Sequence, residues 1–164
     1  MVSLKGFLPD EAATLALGGA MAEGIEPGMM IYLTGELGAG KTTLVRGLVR
    51  ALGYAGPVKS PTYALVELYK LSRLDLHHFD FYRFRDPREW IDAGFRESFN
   101  GRTVSLIEWP ERAAGMLPPA DLEVALALHG EGRNAELTSR SLKGQKLLAL
   151  VASRYAFPSS ASSA

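Results

Sequence analysis

The chain has 164 residues, 47% of them apolar and 22% charged, and its formal net charge is zero. That length suits one well-buried domain, and the composition excludes a disordered chain or a membrane protein. Balanced charge also argues against a broad basic face that grips nucleic acid alone.

The absence of cysteine removes disulfides and thiolate metal sites and fits a reducing compartment. The small apolar stretch "AATLALGGAMA" is too short to span a bilayer and follows two acids rather than a basic leader. A cytoplasmic protein without membrane association is expected.

"LPDEAATLALGGAMAEG" predicts a helix capped by Asp10, with Glu11 at its positive end and Gly24 as its stop. "GMMIYLTG" is a continuous apolar run, the pattern of a buried strand. A glycine-rich loop follows, then "KTTLVRGLVRALG", whose Leu44, Val45, Leu48, Val49 and Leu52 share one helical face before Gly53. "GPVKSPT" reads as a loop, and "TYALVELYKL" and "LDLHHFDFYRF" as β segments joined near Ser72 and Arg73. A short helix in "DPREWIDAGF" stops at Gly94, and "RTVSLIEWP" is a further buried strand ending on Glu108. "DLEVALALH" alternates as a strand and can pair with "NAELTSRS" across "GEGR"; "KGQKLLALVASRY" predicts a closing helix. The expected organisation is one α/β domain over residues 1–153, with residues 154–164 as a flexible, serine-rich tail.

The glycine loop carries the chemistry. "GELGAGKTT", from Gly35 to Thr43, is G-x-x-x-x-G-K-T between a strand and a helix, the order of a P-loop. Glycines let backbone N–H groups turn inward toward an anion, and the new helix adds its positive end. The loop residues Gly35, Glu36, Leu37, Gly38, Ala39, Gly40, Lys41, Thr42 and Thr43 are therefore the expected nucleotide site. Within it Lys41 reaches the β and γ phosphates and Thr42 ligates Mg2+.

Such a site needs an acid across the metal. Glu108 ends a strand at the Walker-B position, and Asp80 stands in "HHFDFYR" with His78 and Tyr82 two residues either side. One acid could hold Mg2+ while the other orients water; a solvated strand end or a partner for Arg83 or Arg85 are the bland alternatives. Adjacent His77 and His78 point to opposite faces of a strand, so a shared zinc ion is disfavoured. Thr62, in a loop after the P-loop helix, could be a switch residue, and Trp109 could either contact a base or pack in the core. No asparagine builds an N-K-x-D segment, so adenine is expected over guanine.

Together, "LPDEAAT", "GELGAGKTTLVRG", "VKSPTYALVELY", "HFDFYR" and "LIEWPE" resemble the TsaE (YjeE) family, small bacterial ATPases of tRNA threonylcarbamoyladenosine biosynthesis. The resemblance runs to about Leu150, departing at Phe81, where the family often has Leu, and in the serine-rich tail. It implies a P-loop NTPase-like three-layer fold, with a mixed central β-sheet flanked by helices. It also implies turnover of ATP to ADP in support of a TsaB–TsaD pair, with tRNA reached indirectly through that complex. By matching motifs it implies Mg2+ ligation by Thr42 and Glu108, a catalytic or water-positioning role for Asp80 and a switch role for Thr62. Trp109, Glu11 and Arg133 are implied to border the nucleotide. A small-molecule kinase, a nucleotide-sensing module without turnover and a GTPase are the competing readings.

Overall fold

The computed structural model describes residues 1–86, 88–92 and 94–158, with Trp90 and Asp92 described by backbone alone. Residues 159–164 of the expected tail, together with Pro87 and Ala93 of the "DPREWIDAGF" helix, lie outside the described residues.

In chain order the elements are β1 (Ser3–Leu8), α1 (Glu11–Met21), β2 (Met30–Thr34), α2 (Lys41–Ala51), β3 (Val66–Lys70), β4 (Asp75–Asp80), α3 (Arg88–Asp92), β5 (Val104–Glu108), β6 (Leu122–His129), β7 (Gly132–Ser139) and α4 (Leu142–Arg154). The described strands form one seven-stranded sheet in the order β1-β7-β6-β2-β5-β4-β3. β6, β2, β5 and β4 run parallel; at one edge β3 is antiparallel to β4, and at the other β7 is antiparallel to both of its neighbours, β6 and β1. This is the mixed sheet with flanking helices expected from the sequence.

Alternation along the central strands divides the interior in two. Ile31, Leu33, Val104 and Leu106 face the larger core beneath α1, α2 and α4, whereas Met30, Ile107 and Phe79 face a smaller aromatic core with Phe81 and Phe84. Asp80 and Glu108 continue the first of these faces, because each lies two residues beyond a side chain that points there. Strand parity thus brings both acids to the side where α2 begins.

Helix α1 is capped as its sequence requires, with the Asp10 carboxylate accepting from the Ala13 N–H at 2.9 Å. It ends at Met21, and one 3-10 turn continues to Gly24. Glycine lets α1 cross α2 closely: a Cβ on Gly18 would strike the Leu44 carbonyl, and one on Gly47 the Leu15 carbonyl. The crossing sets the start of α1 beside the start of α2.

Three sequence expectations are corrected. β1 was not foreseen. β3 begins at Val66 rather than in "TYA", because Leu65 takes a left-handed φ of 70° and accepts the Asp80 N–H at 3.0 Å, which ends the regular ladder. Order also continues past residue 153: α4 runs through Arg154, the Tyr155 hydroxyl donates to the Ala13 carbonyl at 3.2 Å, and Phe157 packs against the main core. Among the described residues no helix is long and apolar enough to cross a membrane.

Candidate nucleotide and metal site

The C-terminal ends of β2, β4 and β5 open into a cavity of about 290 Å³. Binding sites of parallel sheets gather at that end of the strands. Lys41, Thr42, Thr62, Asp80 and Glu108 line it on the strand side, and Glu11 and Arg133 on the far side.

The loop from Gly35 to Gly40 leaves β2 and starts α2. Gly40 precedes the helix at φ 102° and Gly38 sits at φ 81°, a left-handed region that an L side chain occupies only with strain. The Ala39 N–H closes a turn on the Glu36 carbonyl at 3.0 Å, and buried Ala39 anchors the loop. Leu37, Gly38, Gly40 and Thr43 line the cavity with the residues above, whereas Gly35, Glu36 and Ala39 do not.

Arg133 explains how that loop is held. From β7, its Nε donates to the Ala39 carbonyl and its Nη2 to the Gly38 carbonyl, each at 3.0 Å. Its Nη1 meets the Gly132 carbonyl at 2.9 Å. The guanidinium thus clamps the loop to the β6–β7 hairpin. Glu11, at the first turn of α1, faces Arg46 of α2 across 3.4 Å.

Lys41 is the hub of the strand side. Its ammonium donates to the Gly35 carbonyl, lies 3.5 Å from Glu108 Oε1 and stands 4.8 Å from the Trp109 ring centroid. Both Lys41 and Glu108 side chains are only 5% exposed. His78, fully buried, meets Glu108 Oε2 at 2.5 Å. Trp109 is half-buried and does not line the cavity; it packs against Tyr82, ring centroids 4.9 Å apart, beneath the lysine.

β4 and β5 pair in register with Asp80 opposite Glu108, which sets two carboxylates side by side. Asp80 Oδ1 accepts the Tyr82 N–H at 2.9 Å, and the Thr62 hydroxyl lies 3.4 Å from its Oδ2. Neither Arg83 nor Arg85 supplies these bonds. Burial pushes the Asp80 carboxyl above its ordinary range and Glu108 adds to the shift; the Tyr82 N–H, Lys41 and His78 oppose it. Ser60, which sequence reasoning passed over, also lines the cavity, and its hydroxyl bonds that of Thr62 at 2.7 Å. Its signal was its place in "KSPTY", two residues before the threonine.

The sequence model for Threonylcarbamoyl adenosine biosynthesis protein TsaE matches residues 8–136. The chain belongs to the TsaE family. A Haemophilus influenzae protein named tRNA threonylcarbamoyladenosine biosynthesis protein TsaE is 42% identical over 153 residues, 90% of this chain and 97% of its own length. A Bacillus subtilis protein of the same name is 35% identical over 131 residues, 80% of this chain and 82% of its own. The crystal structure of Bacillus subtilis YdiB superposes with a TM-score of 0.79 at 27% identity, over 93% of this chain and 95% of that one. The TsaE match spans the glycine loop, both acids and Arg133, so the cavity lies within the family's own territory.

Proposed function

We propose that the chain acts in tRNA threonylcarbamoyladenosine biosynthesis as a cytoplasmic, Mg2+-dependent ATPase that supports a TsaB–TsaD transferase pair. One observation carries this reading: Lys41, Thr42, Thr62, Asp80 and Glu108, from separate stretches of sequence, all line one cavity at the start of α2. The donor set fits Mg-ATP, combining a glycine cradle, a lysine, a hydroxyl and two carboxylates.

In this reading the N–H groups from Leu37 to Thr42 and the positive end of α2 hold the phosphates. Thr42 and Glu108 hold the metal, which when bound neutralises phosphate charge. Lys41 exchanges its contacts with Gly35 and Glu108 for phosphate oxygens. Asp80 is suited to orient the attacking water and receive its proton, since burial raises its pKa above the ordinary carboxylate value and the Tyr82 N–H fixes its rotamer. Glu11 and Arg133 border the other end of the cavity, where the nucleoside of ATP would extend, with ADP the product.

The Thr62 hydroxyl is shared between Ser60 and Asp80, 2.7 Å and 3.4 Å away. Turnover is therefore expected to be slow until a partner chain orders this loop and redirects the hydroxyl. The test is phosphate release from Mg-ATP, measured alone and with TsaB, TsaD and tRNA. Stimulation is expected with partners and should be lost in Thr62→Ala at unchanged ATP affinity. Equal rates under conditions where the complex forms would overturn the partner-driven mechanism. A phosphorylated acceptor in place of free phosphate would make the chain a kinase.

A further inference from the structure

His78 takes no part in the steps above, yet it is the most deeply buried polar group near the site, at 0% exposure. On β4 it stands two residues before Asp80 and pairs with Leu106, so it lies one pleat beneath the two carboxylates on their face of the sheet. Its Nε2 meets Glu108 Oε2 at 2.5 Å, while its Nδ1 has no partner among the described residues. An ionised carboxylate can only accept, so the hydrogen of this bond belongs to Nε2.

Glu108 needs such a tether. Asp80 lies directly beside it in the ladder, and two carboxylates at that spacing repel. Lys41 attracts only Oε1, across 3.5 Å, and in the proposed function it leaves for phosphate. The bond to His78 is then the remaining fixed restraint on the Glu108 rotamer.

We propose that His78 is the positioning residue of the Mg2+ site. It holds Glu108 Oε2 and so presents Oε1, the oxygen that now meets Lys41, to the metal. The inference rests on the Mg-ATP reading and assigns within it a role to a side chain that touches neither nucleotide nor metal.

The test is calorimetric titration of an imido-bridged, non-hydrolysable ATP analogue, with Mg2+ and with excess EDTA, into wild type, His78→Ala, His78→Asn and His78→Gln. The glutamine amide nitrogen can reach the position of Nε2, whereas that of asparagine falls short. Alanine and asparagine should lose about 10- to 100-fold of the Mg2+-dependent gain in affinity, the range for disturbing a group that orients a metal ligand. Affinity in EDTA should hold in all variants, and glutamine should keep the gain. Retention of the gain in the alanine or asparagine variant, or an equal loss with and without Mg2+, would overturn the role.

A wild type whose affinity ignores Mg2+ would refute the metal reading itself, and the positioning role with it. Should His78→Ala fail to fold, nitrogen-15 NMR of the wild-type imidazole decides. A hydrogen on Nε2 supports the role; an Nε2 without one refutes it.

Discussion

Lys41→Ala should do two separable things. In ligand terms it removes a charge-assisted contact to phosphate worth about 1.5–3 kcal/mol, so affinity for ATP should fall about ten- to a hundred-fold. In structural terms it strands Glu108, because the lysine and the glutamate are both 5% exposed and lie 3.5 Å apart. Breaking a fully buried pair typically costs about 3–5 kcal/mol. Here the loss should be smaller, since His78 still satisfies Oε2 and the cavity admits water to Oε1. A loss of about 1.5–3 kcal/mol follows, the range for a hydrogen bond to a charged group. For a chain of this size that is a fall in Tm of about 3–12 °C. Thermal unfolding without nucleotide measures it. Adding Glu108→Gln removes the stranded charge, so the double variant should be more stable than the sum of the two single losses by about 1 kcal/mol or more. An unchanged Tm for Lys41→Ala, or strict additivity, would mean the pair does not exist in solution. The affinity loss alone would then remain to argue for Lys41.

Asp80→Asn should bind ATP nearly as wild type yet hydrolyse it at least about a hundred-fold more slowly, by phosphate release, because a water-positioning acid acts in the transition state. The same variant reports linkage: burial holds the folded pKa above the ordinary value of 3.8, so the contribution of Asp80 to stability is fully present below that value and is lost as pH rises through the folded pKa. Denaturant unfolding should therefore show Asp80→Asn gaining on wild type as pH climbs from about 4, and a constant difference would refute the burial argument. Mg-ATP should change the fluorescence of Trp109, whose ring lies under a lysine ammonium that nucleotide would draw away. The signal should persist in Trp90→Phe and vanish in Trp109→Phe, and the reverse would place the nucleotide elsewhere.

Legibility in the sequence followed locality. Strand, glycine loop and helix could be read because each element's cause lies within a few residues: the apolar run "MMIYL", the glycines and the heptad-like face of α2. Glu108 and Asp80 could be read as strand-end acids. That they are neighbours could not, because their pairing depends on β4 and β5 lying side by side in parallel, a property of topology. β1 was missed for a similar reason: in "SLKGFL" only Leu8 is fully buried, so the edge strand carries little pattern of its own and owes its shape to β7. Arg133 came only through family resemblance. Its contacts with Gly38 and Ala39 join opposite parts of the chain, and nothing in "EGRNAE" announces them.

The backbone at Trp109 shows how the fold spends strain to build this site. Glu108 ends a strand whose five residues are all buried, and the chain must leave the sheet at once without rotating that carboxylate away from the cavity. The following residue precedes Pro110, which disfavours the right-handed helical region that an ordinary turn would use. Trp109 instead adopts φ 58° and ψ 52°, and a 3-10 turn over Pro110–Ala113 begins behind it. For a bulky non-glycine residue that conformation costs on the order of 1–3 kcal/mol, and it persists only where surrounding contacts over-determine it. Those contacts are present: the indole packs on Tyr82, Lys41 stands over its face, and Pro110 and Ala113 are buried beneath the turn. A glycine at this position would relax the backbone but would remove the surface on which Lys41 rests. The tryptophan therefore serves the site from below, holding the lysine over the strand ends while the reversed turn keeps Glu108 facing them.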